Sequence, residues 1–156
     1  MKIINDMNLE IAKEIASWNY EGDYAIYNTP SLEVMVEKKY SLVNPAKAKD
    51  FFCFYDDEGN LLGYSKVNRK EDCAFLGIGL APIYTGKGLG KTILSLTIKE
   101  IEKVCPNMPI LIEVRSWNKR AINCYLSCGF VITETKSQID HFGNLQEFVF
   151  MKYNNN

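Results

Sequence analysis

The stretch YTGKGLGKTI, residues 84–93, sets three glycines among lysines where a strand pattern gives way to a helical one. Backbone N–H groups gathered at a helix start bind anions, phosphate foremost. Spacing decides which phosphate. A nucleotide P-loop needs a glycine, four residues, then Gly-Lys-Ser/Thr. Gly90, Lys91 and Thr92 supply the end of that motif, but its opening position holds Thr85, and Gly86 comes one residue late. The dinucleotide fingerprint Gly-x-Gly-x-x-Gly fits Gly86 and Gly88, then meets Lys91; the register from Gly88 and Gly90 meets Ile93. Both nucleotide readings fail by a residue, so the anion must be identified from the rest of the chain.

A chain of 156 residues is long enough to bury one domain's core. Its 47% hydrophobic and 24% charged residues are those of a soluble globular protein. A net charge of −1 offers no basic stripe for nucleic acid. No apolar run is long enough for a membrane span, and MKIINDMNLE lacks the apolar core of a signal peptide. The five cysteines are odd in number and form no C-x-x-C pair, and His141 is the single histidine, so neither a disulfide framework nor a metal site is expected. A reducing, cytoplasmic setting fits this usage.

Residues Asn8 to Trp18 read as a first helix capped by Asn8, and Pro30-Ser31 open a second. FFCFY (51–55) and LLGYSKV (61–67) flank DDEGN as a β-hairpin. A third strand, Cys73 to Leu80, leads into the glycine loop. The helix after it runs from about Gly88 to Cys105, with Leu89, Ile93, Leu94, Leu96, Ile98, Ile101 and Val104 on a broad apolar face. ILIEV (110–114) reads as a buried strand, Asn118 caps a short helix ending at Gly129, and Phe130–Thr135 and Glu147–Tyr153 complete the sheet. The order is that of a mixed α/β layer fold around one sheet, a single domain over residues 1–153 with a frayed tail at 154–156.

GLAPIYTGKGLGKTIL resembles the central motif of the GNAT superfamily of N-acetyltransferases, Arg/Gln-x-x-Gly-x-Gly/Ala, with Gly88 and Gly90 in the glycine positions. EVRSWNKRAINCYLSCGF looks like the second GNAT motif, with Asn118, Ala121, Tyr125 and Gly129-Phe130 at its spacing. The two motifs cover residues 76–130. The resemblance implies an α+β fold: a mixed, mostly antiparallel sheet splayed at the cofactor site, with helices on both faces. It also implies that the loop cradles the pyrophosphate of acetyl-CoA through Thr85, Gly86, Lys87, Gly88, Leu89, Gly90 and Lys91. Glycine lets backbone come close because no Cβ intervenes. One position departs: Thr85 stands where the motif has Arg or Gln. Its hydroxyl can still donate to phosphate, and Lys87 and Lys91 can supply charge. The resemblance places the thioester arm along the strand before the loop, with backbone contacts from Ile78 and Leu80 and an N–H near Leu80 polarising the carbonyl. Such a donor is commonly worth ~3 kcal/mol. Gly77 and Gly79 in that strand suit a bulge and a close ligand approach.

Acetyl transfer to an amine moves two protons: the ammonium loses one and the thiolate gains one. Tyr125 stands where the family keeps its general acid, and a phenol can donate to a leaving thiolate. Asn118 and Tyr125, seven apart, share a helix face about 10.5 Å apart along the axis, so Asn118 can touch the pantetheine chain as well as cap the helix. EVRSWN resembles the same stretch in ribosomal-protein alanine N-acetyltransferases, whose proposed base lies twelve residues before the tyrosine; Glu113 has that spacing. An ion pair of Glu113 with Arg115, with a water chain as base, is the alternative. Free cysteines in a core behave as small apolar residues, so direct transfer in a ternary complex is expected rather than an acyl-Cys124.

Trp18, Tyr20, Tyr24 and Tyr27 can wall an amine site by cation–π contact, or simply cover the sheet edge. The acceptor is expected to be a primary amine, small molecule or peptide N-terminus. Exposed sheet edges in such folds can pair into homodimers. A CoA-binding regulatory module on the same fold is the competing function, although it needs neither Tyr125 nor Glu113.

Overall fold

The computed structural model describes residues 1–154. Eleven regular elements follow one another: β1 (Lys2–Ile4), α1 (Leu9–Ala16), α2 (Leu32–Glu37), β2 (Phe51–Tyr55), β3 (Leu61–Arg69), β4 (Ala74–Leu80), α3 (Leu89–Val104), β5 (Ile110–Arg115), α4 (Lys119–Ser127), β6 (Phe130–Ile139) and β7 (Leu145–Tyr153). Short 3₁₀ turns occupy Gly22–Tyr27, Ser41–Val43, Pro45–Asp50 and Pro82–Tyr84. The seven strands form one mixed sheet in the order β1-β2-β3-β4-β5-β7-β6. β4 and β5 run parallel, while β1–β2, β2–β3, β5–β7 and β6–β7 pair antiparallel. A parallel pair needs a crossover, and α3 supplies it. No helix among the described residues is long and apolar enough to cross a membrane.

The chain divides into two compact units. The first comprises Met1–Lys66 and Ile78–Leu89. Asn8 caps α1 by accepting the Ile11 N–H at 2.9 Å, and Ser31 caps α2 through the Val34 N–H at 3.3 Å. The apolar spacing of α1 turns Ile11, Ala12 and Ile15 inward onto Met35, Leu42, Phe51, Cys53 and Leu61. Full burial of such a side chain stabilises by roughly 1.5–3 kcal/mol. β1 is an element the sequence patterns do not announce: three residues carry too little alternation, and its register with β2, Lys2 against Tyr55, is set by pairing.

The second unit comprises Val67–Gly77 and the chain from Gly90 onward. In α3, Ile93, Leu94, Thr97, Ile98 and Ile101 are buried, whereas Val104, expected on the apolar face, is exposed in the last turn. Asn118 caps α4, and Gly129 takes the expected left-handed C′ conformation at φ 99°. β6 extends four residues past its expected end at Thr135, and β7 starts at Leu145. The reason is that β6 past Phe130 is exposed along most of its length, so no apolar alternation marks it. Asn154 donates its N–H to the Gly129 carbonyl at 2.9 Å; the rest of the expected tail lies outside the described residues.

Candidate active site

The glycine loop begins where β4 ends. Ala81 donates to the Leu62 carbonyl at 3.0 Å, and Pro82–Tyr84 make a 3₁₀ turn closed by Tyr84 N–H to Ala81 O. Gly86 and Gly88 adopt φ 75° and 80°, and α3 begins at Leu89. Neither glycine is crowded: a Cβ at either position would meet no heavy atom within 4 Å. Glycine is therefore there for the backbone conformation, and backbone of this kind at a helix start can turn N–H groups toward an anion. Lys87 and Lys91 are exposed beside it, Lys87 with its Nζ 5.9 Å from the Tyr84 ring centroid. These features fit a diphosphate. Thr85 differs from expectation: its hydroxyl donates to the Pro82 carbonyl at 2.8 Å, which fastens the 3₁₀ turn and engages the proton a phosphate would have taken.

In the same unit the aromatic stretch after α1 closes on β4. The Tyr20 hydroxyl donates to the Leu80 carbonyl at 2.5 Å. The ring can reach because Asn28 holds its backbone on both sides: the Asn28 Oδ1 accepts the Tyr20 N–H at 2.6 Å, and its Nδ2 donates to the Tyr20 carbonyl at 3.1 Å. One side chain thus imitates a strand partner and closes residues 20–28 into a fixed loop. Trp18 stacks on Tyr64, centroids 6.0 Å apart at 26°. Tyr64 in turn lies against Gly79, where an added Cβ would sit 2.5 Å from Cε1 and 2.8 Å from Cζ. The close approach expected at Gly79 is real, but the Tyr64 ring makes it. Tyr24 and Tyr27 lie on the 3₁₀ turn, half-buried and exposed respectively. A cleft of about 340 Å³ is lined by Glu14, Trp18, Asn60, Ala81, Pro82 and Tyr84, among others. Among the described residues no lysine or arginine pairs with Glu14.

The remaining candidates belong to the second unit. The Asn118 side chain accepts the Ala121 N–H at 3.1 Å, which establishes its capping role. Tyr125, on the same helix, is 7% exposed and packs 6.2 Å from Phe130, which lies 5.5 Å from Tyr153. Beside it, burial and then the neighbouring Cys128 push the Cys124 thiol up to about 11, so its thiolate is scarce at neutral pH. Cys128 donates through Sγ to the Lys91 carbonyl at 3.8 Å.

Glu113 is not buried as its strand pattern implies. It is exposed, and the Gln138 Nε2 donates to its carboxylate at 3.3 Å. The alternative pair with Arg115 does not form either. Arg115, 5% exposed, bonds through Nη2 to Asp140 at 3.0 Å and lies 5.3 Å from the Phe148 ring centroid. Asp140 accepts the N–H groups of Phe142 and Asn144, each at 3.0 Å. Those of Asn144, foremost, and the Arg115 guanidinium hold its carboxyl below the usual range. Sequence reasoning missed Tyr64, Asn28, Glu14 and this Arg115–Asp140 pair. Only the last had a signal: DHFGN at 140–144 repeats the D-x-x-G-N pattern of DDEGN at 56–60.

Comparison with known proteins agrees with the family resemblance and the fold. The model of the acetyltransferase (GNAT) family matches residues 12–130. The uncharacterized N-acetyltransferase YfmK of Bacillus subtilis (strain 168) is 26% identical over 117 residues, covering 70% of this chain and 72% of YfmK. Among solved structures, the ribosomal-protein-S18-alanine N-acetyltransferase of Escherichia coli superposes with a TM-score of 0.68 at 21% identity, covering 97% of this chain and 92% of that one. The spermidine N-acetyltransferase of Vibrio cholerae, solved with CoA and spermine, superposes with a TM-score of 0.67 at 19% identity, covering 97% and 93%. With more than half its length matched by the family model, the chain belongs to the acetyltransferase (GNAT) family.

Proposed function

We propose that this chain moves an acetyl group from acetyl-CoA to a primary amine, on a small molecule or a peptide N-terminus, by direct transfer in a ternary complex. The observation that carries the reading is the loop with left-handed Gly86 and Gly88 at the head of a 16-residue helix, directly after β4. Bound there, acetyl-CoA supplies an acyl group activated as a thioester. Residues Thr85 to Lys91 hold the pyrophosphate, with Thr85 contributing backbone rather than hydroxyl. Ile78 and Leu80 offer backbone to the thioester arm, and Asn118 contacts it from the cap of α4.

The N–C bond forms as the C–S bond breaks. The amine's surplus proton leaves toward Glu113, and the thiolate takes one from the Tyr125 hydroxyl. Exposure of Glu113 favours relay through water over direct contact. On the acceptor side, Tyr20 fixes the Leu80 peptide, while Trp18, Glu14 and the cleft beside them suit a cationic amine; Tyr24 and Tyr27 complete that wall.

A thermal-shift titration with acetyl-CoA beside ATP tests the cofactor. At about 100 times its Kd a ligand adds ~2.7 kcal/mol, or about 5–10 °C at this chain length. A shift with ATP alone, or none, refutes the reading. Thiol release is then followed with spermidine, lysine and an alanine-terminated peptide as acceptors. Tyr125→Phe should lose turnover and keep cofactor affinity; unaltered turnover removes Tyr125 from the mechanism. Cofactor binding without turnover on any amine would favour the regulatory module.

A further inference from the structure

Cys124 and Cys128 lie one helical turn apart on α4, Cys128 as its C-cap, and both thiols are free and half-buried. The Cys124 thiol is hydrogen-bonded to Cys128. Cys128 turns the rest of its sulfur toward oxygen: Sγ donates to the Lys91 carbonyl at 3.8 Å and accepts the Ser95 hydroxyl at 4.0 Å. Lys91 and Ser95 are themselves one turn apart on α3, so two helices close on the pair. Cysteines that only fill a core behave as small apolar groups; these two meet each other and two polar atoms.

A C-x-x-x-C pair on a helix excludes one chemistry and suits another. Cβ atoms four residues apart on a helix stand ~5–6 Å from one another. A disulfide needs them at ~3.5–4.5 Å, so joining the two sulfurs directly would break the last turn of α4. An ion held between two thiolates needs sulfurs about 4.6 Å apart, twice a metal–thiolate bond of ~2.3 Å. That is a small opening of the present contact. Among the described residues no group of three cysteines, histidines or carboxylates gathers around an ion site. The pair thus offers two ligands, both soft sulfur.

We propose that Cys124 and Cys128 form a two-thiolate site for a soft, singly charged metal ion of the Cu(I) class. Softness follows from the donors. Low coordination follows from their number, since structural Zn(II) takes four ligands. A singly charged ion between two thiolates leaves a net negative charge, and the Lys91 ammonium favours negative charge at Cys124. As the ion binds, two metal–sulfur bonds form and each thiol gives its proton to water; nothing is oxidised. A scarce Cys124 thiolate slows a reagent that needs it free, whereas a soft ion displaces the proton as it binds. C-x-x-C and histidine patterns do not find this pair, because C-x-x-x-C brings two sulfurs together only on a helix. The inference does not depend on the acetyl-transfer reading.

The test is competition for Cu(I) between the full chain, reduced and anaerobic, and the colorimetric chelator bicinchoninate. The wild type should take up one ion per chain. Cys124→Ser and Cys128→Ser should each weaken uptake at least about a hundredfold, while Cys73→Ser and Cys105→Ser should leave it within about twofold. Thermal melts should show the variants folded. X-ray absorption of the loaded wild type needs no variant and should show two sulfur neighbours without nitrogen or oxygen. Zn(II) in equal amount should not displace the ion. Failure of the wild type to draw Cu(I) from the chelator overturns the proposal. So does uptake indifferent to both α4 variants, which would mean an adventitious ion only. A shell of three or more ligands, or displacement by Zn(II), overturns it as well.

Discussion

Gly79→Ala probes the contact that holds β4 against its aromatic neighbours. The added Cβ would lie 2.5 Å from Tyr64 Cε1, 2.8 Å from Cζ and 3.1 Å from the hydroxyl oxygen. A ring that could swing aside would absorb this cheaply. Tyr64 cannot: Trp18 stacks on it at 6.0 Å, and Phe51 lies at 6.1 Å. Burial, with a smaller effect from Cys53, pushes its hydroxyl up to about 12, another mark of confinement. Overpacking of this kind costs about 1–3 kcal/mol. At this chain length that is a fall in Tm of about 2–12 °C. Tyr64→Leu removes the colliding atoms at a cost of its own, so the informative quantity is the coupling. In the Tyr64→Leu background, Gly79→Ala should cost little, or stabilise by about 0.4–1 kcal/mol through the unfolded chain. Melts of the four proteins close the cycle. A Tm for Gly79→Ala within about 1 °C of wild type, or an equal cost in both backgrounds, would refute the steric argument.

Tyr20→Phe keeps the ring and removes the bond to Leu80; it should cost about 0.5–1.5 kcal/mol and lower kcat more than cofactor affinity, as Michaelis kinetics beside a cofactor titration will show. Asp140→Asn keeps the turn's acceptor but leaves Arg115 without its charge partner. Because the Asp140 carboxyl is held below its ordinary value, its contribution is present above the unfolded pKa and lost as pH falls through the folded one. The Tm gap between wild type and Asp140→Asn should thus be full near pH 6 and close below about pH 4. Cys124, raised to about 11, should resist thiol reagents at pH 7.5 and tolerate Cys124→Ala with turnover intact; rapid labelling with loss of activity would reopen the acyl-cysteine route.

The glycine loop and the ends of α4 were legible because their signals are local in the chain. Gly86 and Gly88 are spaced by what a backbone must do at a strand-to-helix turn, and Asn118 and Gly129 bracket α4 with residues suited to its two ends. The aromatic cluster against β4 rests on contacts between residues far apart in sequence. Tyr20 meets Leu80 sixty positions on, and Tyr64 meets Gly79 only through the pairing of their strands. No window along the chain contains either pair, so the aromatic residues were visible and their geometry was not. Glu113 shows a different limit. ILIEVR reads as buried throughout because its neighbours are apolar, yet a strand shows two faces, and what covers each depends on strands distant in sequence. Arg115, on the same face, is covered because Asp140 and Phe148 reach it; Glu113 takes the Gln138 amide at its carboxylate and stays open to solvent. The second turn was the one long-range feature with a local trace. In DDEGN, Asp56 accepts the N–H groups of Glu58 and Asn60; in DHFGN, Asp140 accepts those of Phe142 and Asn144. The same five-residue pattern folds the same way twice, so reading the second from the first would have extended β6 to Ile139 and placed Asp140 at the hairpin end. The partner that Asp140 then finds in Arg115 still required the sheet.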